Sequence, residues 1–447
     1  MYKLSFKKQN KSSIIFALFL IICIFATKEN NIMKKRVLTL YTLLLVAVLS
    51  TSAQQRTFTP ELNGLQVTAN HDWRTPPVIN LGSSDVINIG FDRMSHEYRT
   101  LSYHVEHCEA DWTTSQELFD IDWLSGFNDQ PIEDYAASIN TTQSYTHYWL
   151  QIPNERTQLK MSGNYRLNII DDDSGETVAE IRFMVVEPAA NLGLAATTNT
   201  DIDTNREHQQ VSMTLNYGQL NLTAPDEQLY TVVMQNQQWD EAVINAKPDR
   251  QNYNGRELEW QHCRALIFPA GNEWRKFETL DVSHTTMGLA SMRWDGVAFN
   301  AYPFADEARR NYLTDADADG AFIIRNSDNT EIETTCDYVR VNYELHTPPF
   351  PADYDVIVSG PWATSQAPQA YTMFYDEADR CYRAAIWQKQ GYYNYQYRLR
   401  KADGTTKAAP TEGNFYQTGN SYQAYVYYKG TGERTWRLVA FRQLIFK

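Results

Sequence analysis

Tyr165–Val186 reads YRLNIIDDDSGETVAEIRFMVV, and the fold follows from how this stretch alternates. Tyr165-Arg166-Leu167-Asn168-Ile169 and Ile181-Arg182-Phe183-Met184-Val185 repeat with a period near two, which in an extended chain gathers one set of side chains on one face. Between them lies Asp171-Asp172-Asp173-Ser174-Gly175, whose Ser-Gly pair suits a tight hairpin turn. Two half-buried antiparallel strands are the reading.

Working outward, the same period recurs in Val86–Phe91 and Tyr103–Glu106. It returns in Val211–Leu215, Tyr230–Met234, Tyr338–Leu345, Val356–Ser359, Tyr392–Leu399, Tyr422–Tyr428 and Trp436–Phe441. No stretch sustains a 3.6-residue apolar period over helical length; the best short helix candidates are Ser115–Leu118 and Phe304–Arg310. The expected fold class is all-β, with tandem immunoglobulin-like β-sandwich domains. Prolines cannot donate to a sheet ladder, so Glu187-Pro188-Ala189-Ala190 and His346-Thr347-Pro348-Pro349-Phe350-Pro351 read as breaks. The expected domains are 54–188, 189–347 and 348–447, each of a size suited to one sandwich.

Residues 1–53 read as a targeting region. The run Val37–Leu49 follows Met33-Lys34-Lys35-Arg36 and precedes Thr51-Ser52-Ala53, the order of a secretory signal, so cleavage is expected after Ala53. The earlier run Ile14–Ala26 is then redundant, and Met33 reads as the true start. Both runs fall short of the roughly 18–20 residues a membrane-spanning helix needs. The whole chain of 447 residues carries a net charge of −14. Eight of its 40 basic and one of its 54 acidic residues lie in the first 53, leaving 32 against 53, or −21, over the remaining 394. Phosphate binding needs a positive field, so this balance argues against nucleic acid, and likewise against docking on anionic lipid.

Four cysteines remain beyond the signal: Cys108, Cys263, Cys336 and Cys381. If bridges stay within domains, Cys263–Cys336 is the possible disulfide, and free buried thiols are the alternative. His107-Cys108 and His262-Cys263 suggest zinc, but adjacent strand residues point to opposite faces, so neither dipeptide supplies two ligands to one ion. Asp315-Ala316-Asp317-Ala318-Asp319-Gly320 matches the opening half of a calcium loop. Its twelfth position is Asn326 rather than Glu, and an acidic turn between strands is the preferred reading; Asp315, Asp317 and Asp319 stay a weak metal candidate. There is no G-x-S-x-G elbow, no H-E-x-x-H and no phosphate-cradling glycine loop. No catalytic residue and no cofactor are expected.

In Gly391–Tyr397 alternation puts Tyr393, Tyr395 and Tyr397 on one face, read as sandwich core. Tyr392, Asn394 and Gln396 then lie on the other, the candidate partner-binding side, because aromatics with polar tips suit sugars or protein interfaces. A second tyrosine set, Tyr422, Tyr425, Tyr427 and Tyr428, occupies another strand.

Several phrases then fall in order: His107-Cys108-Glu109-Ala110-Asp111-Trp112, Gly126-Phe127, Tyr145-Thr146-His147-Tyr148, Pro153-Asn154 and Ser162-Gly163-Asn164-Tyr165. They continue with Gly271-Asn272-Glu273-Trp274-Arg275, Cys336-Asp337-Tyr338-Val339, Lys389–Tyr395 and Thr418-Gly419-Asn420-Ser421-Tyr422. Together, from about Leu65 to the end, they resemble the Bacteroidetes type IX secretion system plug protein family. Trp274 stands where Phe is expected, Ala270 where Gly is, and Asp319-Gly320 where an asparagine-glycine pair is. The resemblance implies a non-catalytic periplasmic protein with no direct membrane insertion. It would seal the periplasmic opening of the giant outer-membrane β-barrel translocon when no substrate passes, as a monomer in a 1:1 complex. The alternative is a periplasmic carbohydrate-binding protein. Val356–Trp362, Met373–Asp376 and Gly391–Tyr393 are similar to the glycogen-binding modules of starch enzymes.

Overall fold

The computed structural model describes residues 55–218 and 220–447, so the signal, its cleavage point after Ala53 and Met33 lie outside the described residues. The first core is a sandwich of two sheets. One contains β1 (Leu62–Ala69), β2 (Ile87–Arg93) and β4 (Thr146–Ile152); the other contains β3 (Leu101–Cys108), β5 (Gly163–Asp171) and β6 (Glu176–Val186). β5 and β6 are the hairpin read from sequence, with Tyr165 opposite Phe183 and Leu167 opposite Ile181. Gly175 N–H donates to the Asp171 carbonyl (2.7 Å) and closes the turn. Ile87, Ile89 and Phe91 from one sheet meet Tyr103, Val105, Leu167 and Ile181 from the other.

The second core opens with β7 (Asn191–Thr197), β8 (His208–Asn216), β9 (Leu229–Gln235) and β10 (Glu257–Trp260). β7, β8 and β10 form one sheet, leaving β9 to seed the facing one. The third core follows with β11 (Arg275–Glu278), β12 (Leu289–Trp294), β13 (Phe299–Pro303), β14 (Tyr338–His346), β15 (Tyr354–Ser359), β16 (Cys381–Lys389) and β17 (Gly391–Lys401). Its larger sheet runs β12-β13-β14-β16, and β17 pairs with β11 and β15 in the other layer. Tyr393, Tyr395 and Tyr397 point into this core beside Phe277 and Tyr343.

The chain then returns. β18 (Asn420–Tyr428) pairs with β9, Leu229 opposite Tyr428 and Gln235 opposite Tyr422, and β19 (Arg437–Phe446) pairs with β18. The partition expected at 347–348 therefore runs through paired strands. β14, ahead of the proline cluster, pairs over its full length with β16 behind it, and the middle segment takes half its second sheet from the end of the chain. Pro348, Pro349 and Pro351 end a strand; they do not separate two cores. β18 is buried along all nine residues. Tyr422, Ala424, Val426 and Tyr428 fill the second core. Tyr425 and Tyr427 pack in a separate cluster with Ala110, Trp112, Met184 and Val186 from the N-terminal sandwich, and the Tyr427 hydroxyl donates to Asn164 Oδ1 (2.7 Å).

Neither helix candidate forms a helix. Ser115–Leu118 forms a turn, with a four-residue helix only at Asp120–Trp123. Within Phe304–Arg310, Asp306 and Glu307 pair in parallel with Leu345 and His346. Among the described residues no helix is long and apolar enough to cross a membrane. Ala53–Lys447 is one compact unit.

Candidate functional site

The two sequence candidates of the last third, the acidic turn and the outer side of the tyrosine strand, come together in space. Asn394 of β17 is fully buried. Its Oδ1 accepts the backbone N–H groups of Ala318 (2.9 Å) and Gly320 (3.2 Å), and its Nδ2 donates to the Tyr392 hydroxyl (2.9 Å). The acidic segment is thus laid over β17 and covers the face expected to be free. Gly320 makes this possible: at φ +93°, a β-carbon there would sit 2.8 Å from the Trp274 ring. Tyr392 is half-buried, its ring edge-on to Trp73 at 5.9 Å. Gln396, also half-buried, borders a cavity of about 370 Å³ with Trp73, Trp239 and Arg398. Of the expected partner-binding trio only Asn394 is fully covered, because a long loop, invisible to strand periodicity, folds back over it, while Tyr392 and Gln396 stay half-buried.

The loop's carboxylates are used within the fold. Asp315 is drawn to Lys276 Nζ (2.5 Å). Asp317 accepts the backbone N–H groups of Asp319 (3.0 Å) and Trp274. Burial pushes Asp317 up to about 7 and Asp319 to about 6, the Glu273 carboxylate adding repulsion to both. Glu273 itself is buried and accepts the Tyr312 hydroxyl (2.7 Å) and Gly419 N–H (3.0 Å). These contacts tie the acidic segment to Trp274, Lys276 and Asn394.

All four described cysteines are free thiols. Cys263 packs against the second core. Cys336 lies buried at the junction of the first and third cores, its carbonyl accepting the Tyr145 hydroxyl (2.7 Å). The expected Cys263–Cys336 bridge is not formed, since the two residues do not share a core. His107 is buried, its Nδ1 2.9 Å from Ser115 Oγ, and serves packing.

Sequence reading missed a charge cluster welding the first core to the third. Asp92 of β2 and Lys389 of β16 are almost wholly buried, with Nζ 2.7 Å from Oδ2. The same oxygen accepts the Tyr338 hydroxyl (2.6 Å), and Asp92 Oδ1 lies 2.6 Å from His147 Nδ1. Desolvation opposes the Asp92 charge, but Lys389 and His147 outweigh it and hold the carboxyl below its ordinary value. Lys389 also donates to the Glu333 carbonyl (2.6 Å) and caps the Tyr145 ring at 4.1 Å. Each residue looked like an ordinary strand position; only their juxtaposition is informative.

Exposed apolar side chains were missed as well. Phe119 (74% exposed), Ile121 (78%) and Phe127 (69%) stand out from one nine-residue segment of the first core. Gly126 positions Phe127: it sits at φ +103°, and a β-carbon there would lie 2.0 Å from the Arg156 carbonyl oxygen. A segment fitting neither a two-residue nor a 3.6-residue period, yet carrying large apolar residues, was the signal available. Three large apolar residues exposed within nine positions make this segment a candidate contact surface.

The first core coincides with a known family. Residues 62–187 match the type 9 secretion system plug protein 1st domain. The whole arrangement has a solved relative, the crystal structure of a hypothetical protein from Parabacteroides merdae ATCC 43184. It is 35% identical, covers 88% of this chain and 99% of its own, and superposes with a TM-score of 0.84. The C-terminal domain of the Streptococcus pyogenes antigen I/II-family protein AspA aligns over 85% of this chain and 99% of its own at 8% identity, with a TM-score of 0.14. No curated protein matches the chain. With the resemblance running through all three cores and the family match seated on the first, the chain belongs to the type 9 secretion system plug protein family.

Proposed function

We propose that this protein is a non-catalytic periplasmic plug that seals the periplasmic opening of the giant outer-membrane β-barrel translocon of the type IX system. The observation that carries this reading is the family match over residues 62–187, which ties the chain to type IX secretion. The form suits that role, because a plug acts by steric occlusion and so needs rigid bodies and firm junctions. The Asp92–Lys389 cluster and the doubly buried β18 supply these. Phe119, Ile121 and Phe127 offer the barrel an apolar contact that salt does not screen. Release follows if the loaded translocon binds the plug less tightly than the empty one.

The test is a pull-down with tagged residues 54–447 from detergent-solubilised native outer membranes. One very large β-barrel protein at near-stoichiometric yield is expected. A folded bait that recovers none, with barrel present in the input, overturns the reading.

A further inference from the structure

β14 and β16 run antiparallel with Glu344 opposite Arg383 and His346 opposite Cys381. Cross-strand partners share a face, as do residues two apart on one strand, so all four project from the same side. The inward side belongs to Tyr343, Leu345, Tyr382 and Ala384. One ligand atom each from Glu344, His346 and Cys381 lies within 4.8 Å of the other two. His346 Nε2 is 2.6 Å from Glu344 Oε1, while Glu344 Oε2 accepts from Arg383 Nε (3.1 Å). Cys381 is fully buried and bonded to no other cysteine.

We propose that Glu344 Oε1, His346 Nε2 and Cys381 Sγ form a zinc site whose fourth position is open to water. The donor set decides the metal: one sulfur, one imidazole nitrogen and one carboxylate oxygen suit Zn²⁺, whereas Ca²⁺ and Mg²⁺ take oxygen ligands. Tetrahedral bonds of about 2.0–2.3 Å place ligand atoms about 3.3–3.7 Å apart. The His346–Glu344 contact therefore opens by roughly 1 Å, within the reach of two half-exposed side chains. On binding, the Cys381 S–H bond breaks, an S–Zn bond forms and the proton leaves to solvent.

Two further features fit a cation. Arg383 grips the oxygen of Glu344 that faces away from His346, fixing the carboxylate as outer partners of metal ligands do. Arg383 is itself offset by Asp376 (2.5 Å) and Asp379 (2.7 Å), so its charge does not repel the metal. His346 also borders an open groove with Glu307 and Pro348, which gives solvent and metal an approach.

The experiment titrates reduced residues 54–447 with Co²⁺ as a spectroscopic probe and with Zn²⁺ in competition with a chelator. One equivalent of metal and a thiolate-to-cobalt charge-transfer band are expected. Both should be lost in Cys381→Ser and kept in Cys263→Ser, which controls for the thiol of the His262-Cys263 pair. His346→Ala, a surface change that leaves the core intact, should weaken Zn²⁺ by on the order of 100-fold or more and abolish any zinc-dependent rise in Tm. Absence of the band in the native protein, or its persistence in Cys381→Ser, overturns the proposal. So does unchanged Zn²⁺ affinity in His346→Ala.

Discussion

Replacing Lys389 by Met removes the cation from the buried cluster while keeping the length of the side chain. The ion pair is 2.7 Å long, with side chains 1% and 0% exposed. At an effective dielectric constant near 20 that separation gives an attraction of about 6 kcal/mol, offset by the desolvation of both ions. Stranding a buried charge costs about 3–5 kcal/mol in comparable cases. His147 and Tyr338 still hydrogen-bond Asp92, which places the expected loss at the lower end, about 3 kcal/mol. The assay is urea unfolding of residues 54–447 at pH 8 and again at pH 5. In the native protein Asp92 is held below its ordinary value, so its contribution persists above the unfolded value and is lost only as pH falls below it. In the variant the stranded carboxylate should titrate above its ordinary value. The penalty is then largest at pH 8 and shrinks as the pH falls and Asp92 takes up a proton. Adding Asp92→Asn should recover at least half of the loss, because no buried charge is left unpaired. A loss under about 1 kcal/mol at pH 8, or one of equal size at pH 5, would refute the claim that this pair carries charge and clamps the first core to the third.

Other expectations concern the loops. Asp317 titrates near 7 rather than near 3.8, so the folded state retains a proton that the unfolded chain releases. Its contribution is complete below about pH 4 and lost as pH rises through 7. At about 1.4 kcal/mol per unit, halved for partial exposure, Asp317→Asn should flatten the pH dependence of urea unfolding over that range by about 2 kcal/mol. Phe119→Asp with Phe127→Asp should cut recovery of the barrel at least tenfold in the pull-down while moving stability by no more than about 0.5 kcal/mol per site. Gly126→Ala should cost about 1–3 kcal/mol in thermal unfolding, because the added β-carbon meets the Arg156 carbonyl at a backbone angle that disfavours alanine.

Strand positions were readable because a two-residue period is written locally, as in Tyr165–Val186. Partners were not. Nothing near Leu229–Gln235 says that it pairs with a segment some 190 residues later, and the prolines after His346 mark a strand end in the same way whether or not a boundary follows. The tyrosine strand shows the same limit. Alternation correctly sent Tyr393, Tyr395 and Tyr397 inward, but what covers Asn394 depends on a loop whose path no periodicity encodes. Buried ion pairs are harder still, since Asp92 and Lys389 come from strands almost 300 residues apart. The apolar residues Phe119, Ile121 and Phe127 were legible as amino acids, and their exposure was not.

The return of β18 and β19 to the second core sets an order of events for a chain delivered from its N-terminus. The first core holds all its strands by Val186 and can close early. Leu229–Gln235 must wait for residues 420–446 before the sheet it seeds is complete. Until then a hydrophobic strand edge stands open, the kind of edge that recruits other chains. A chain interrupted anywhere in its third core would thus carry a finished head and an unsealed middle. Arrival of the final two strands serves as the molecule's own proof of integrity.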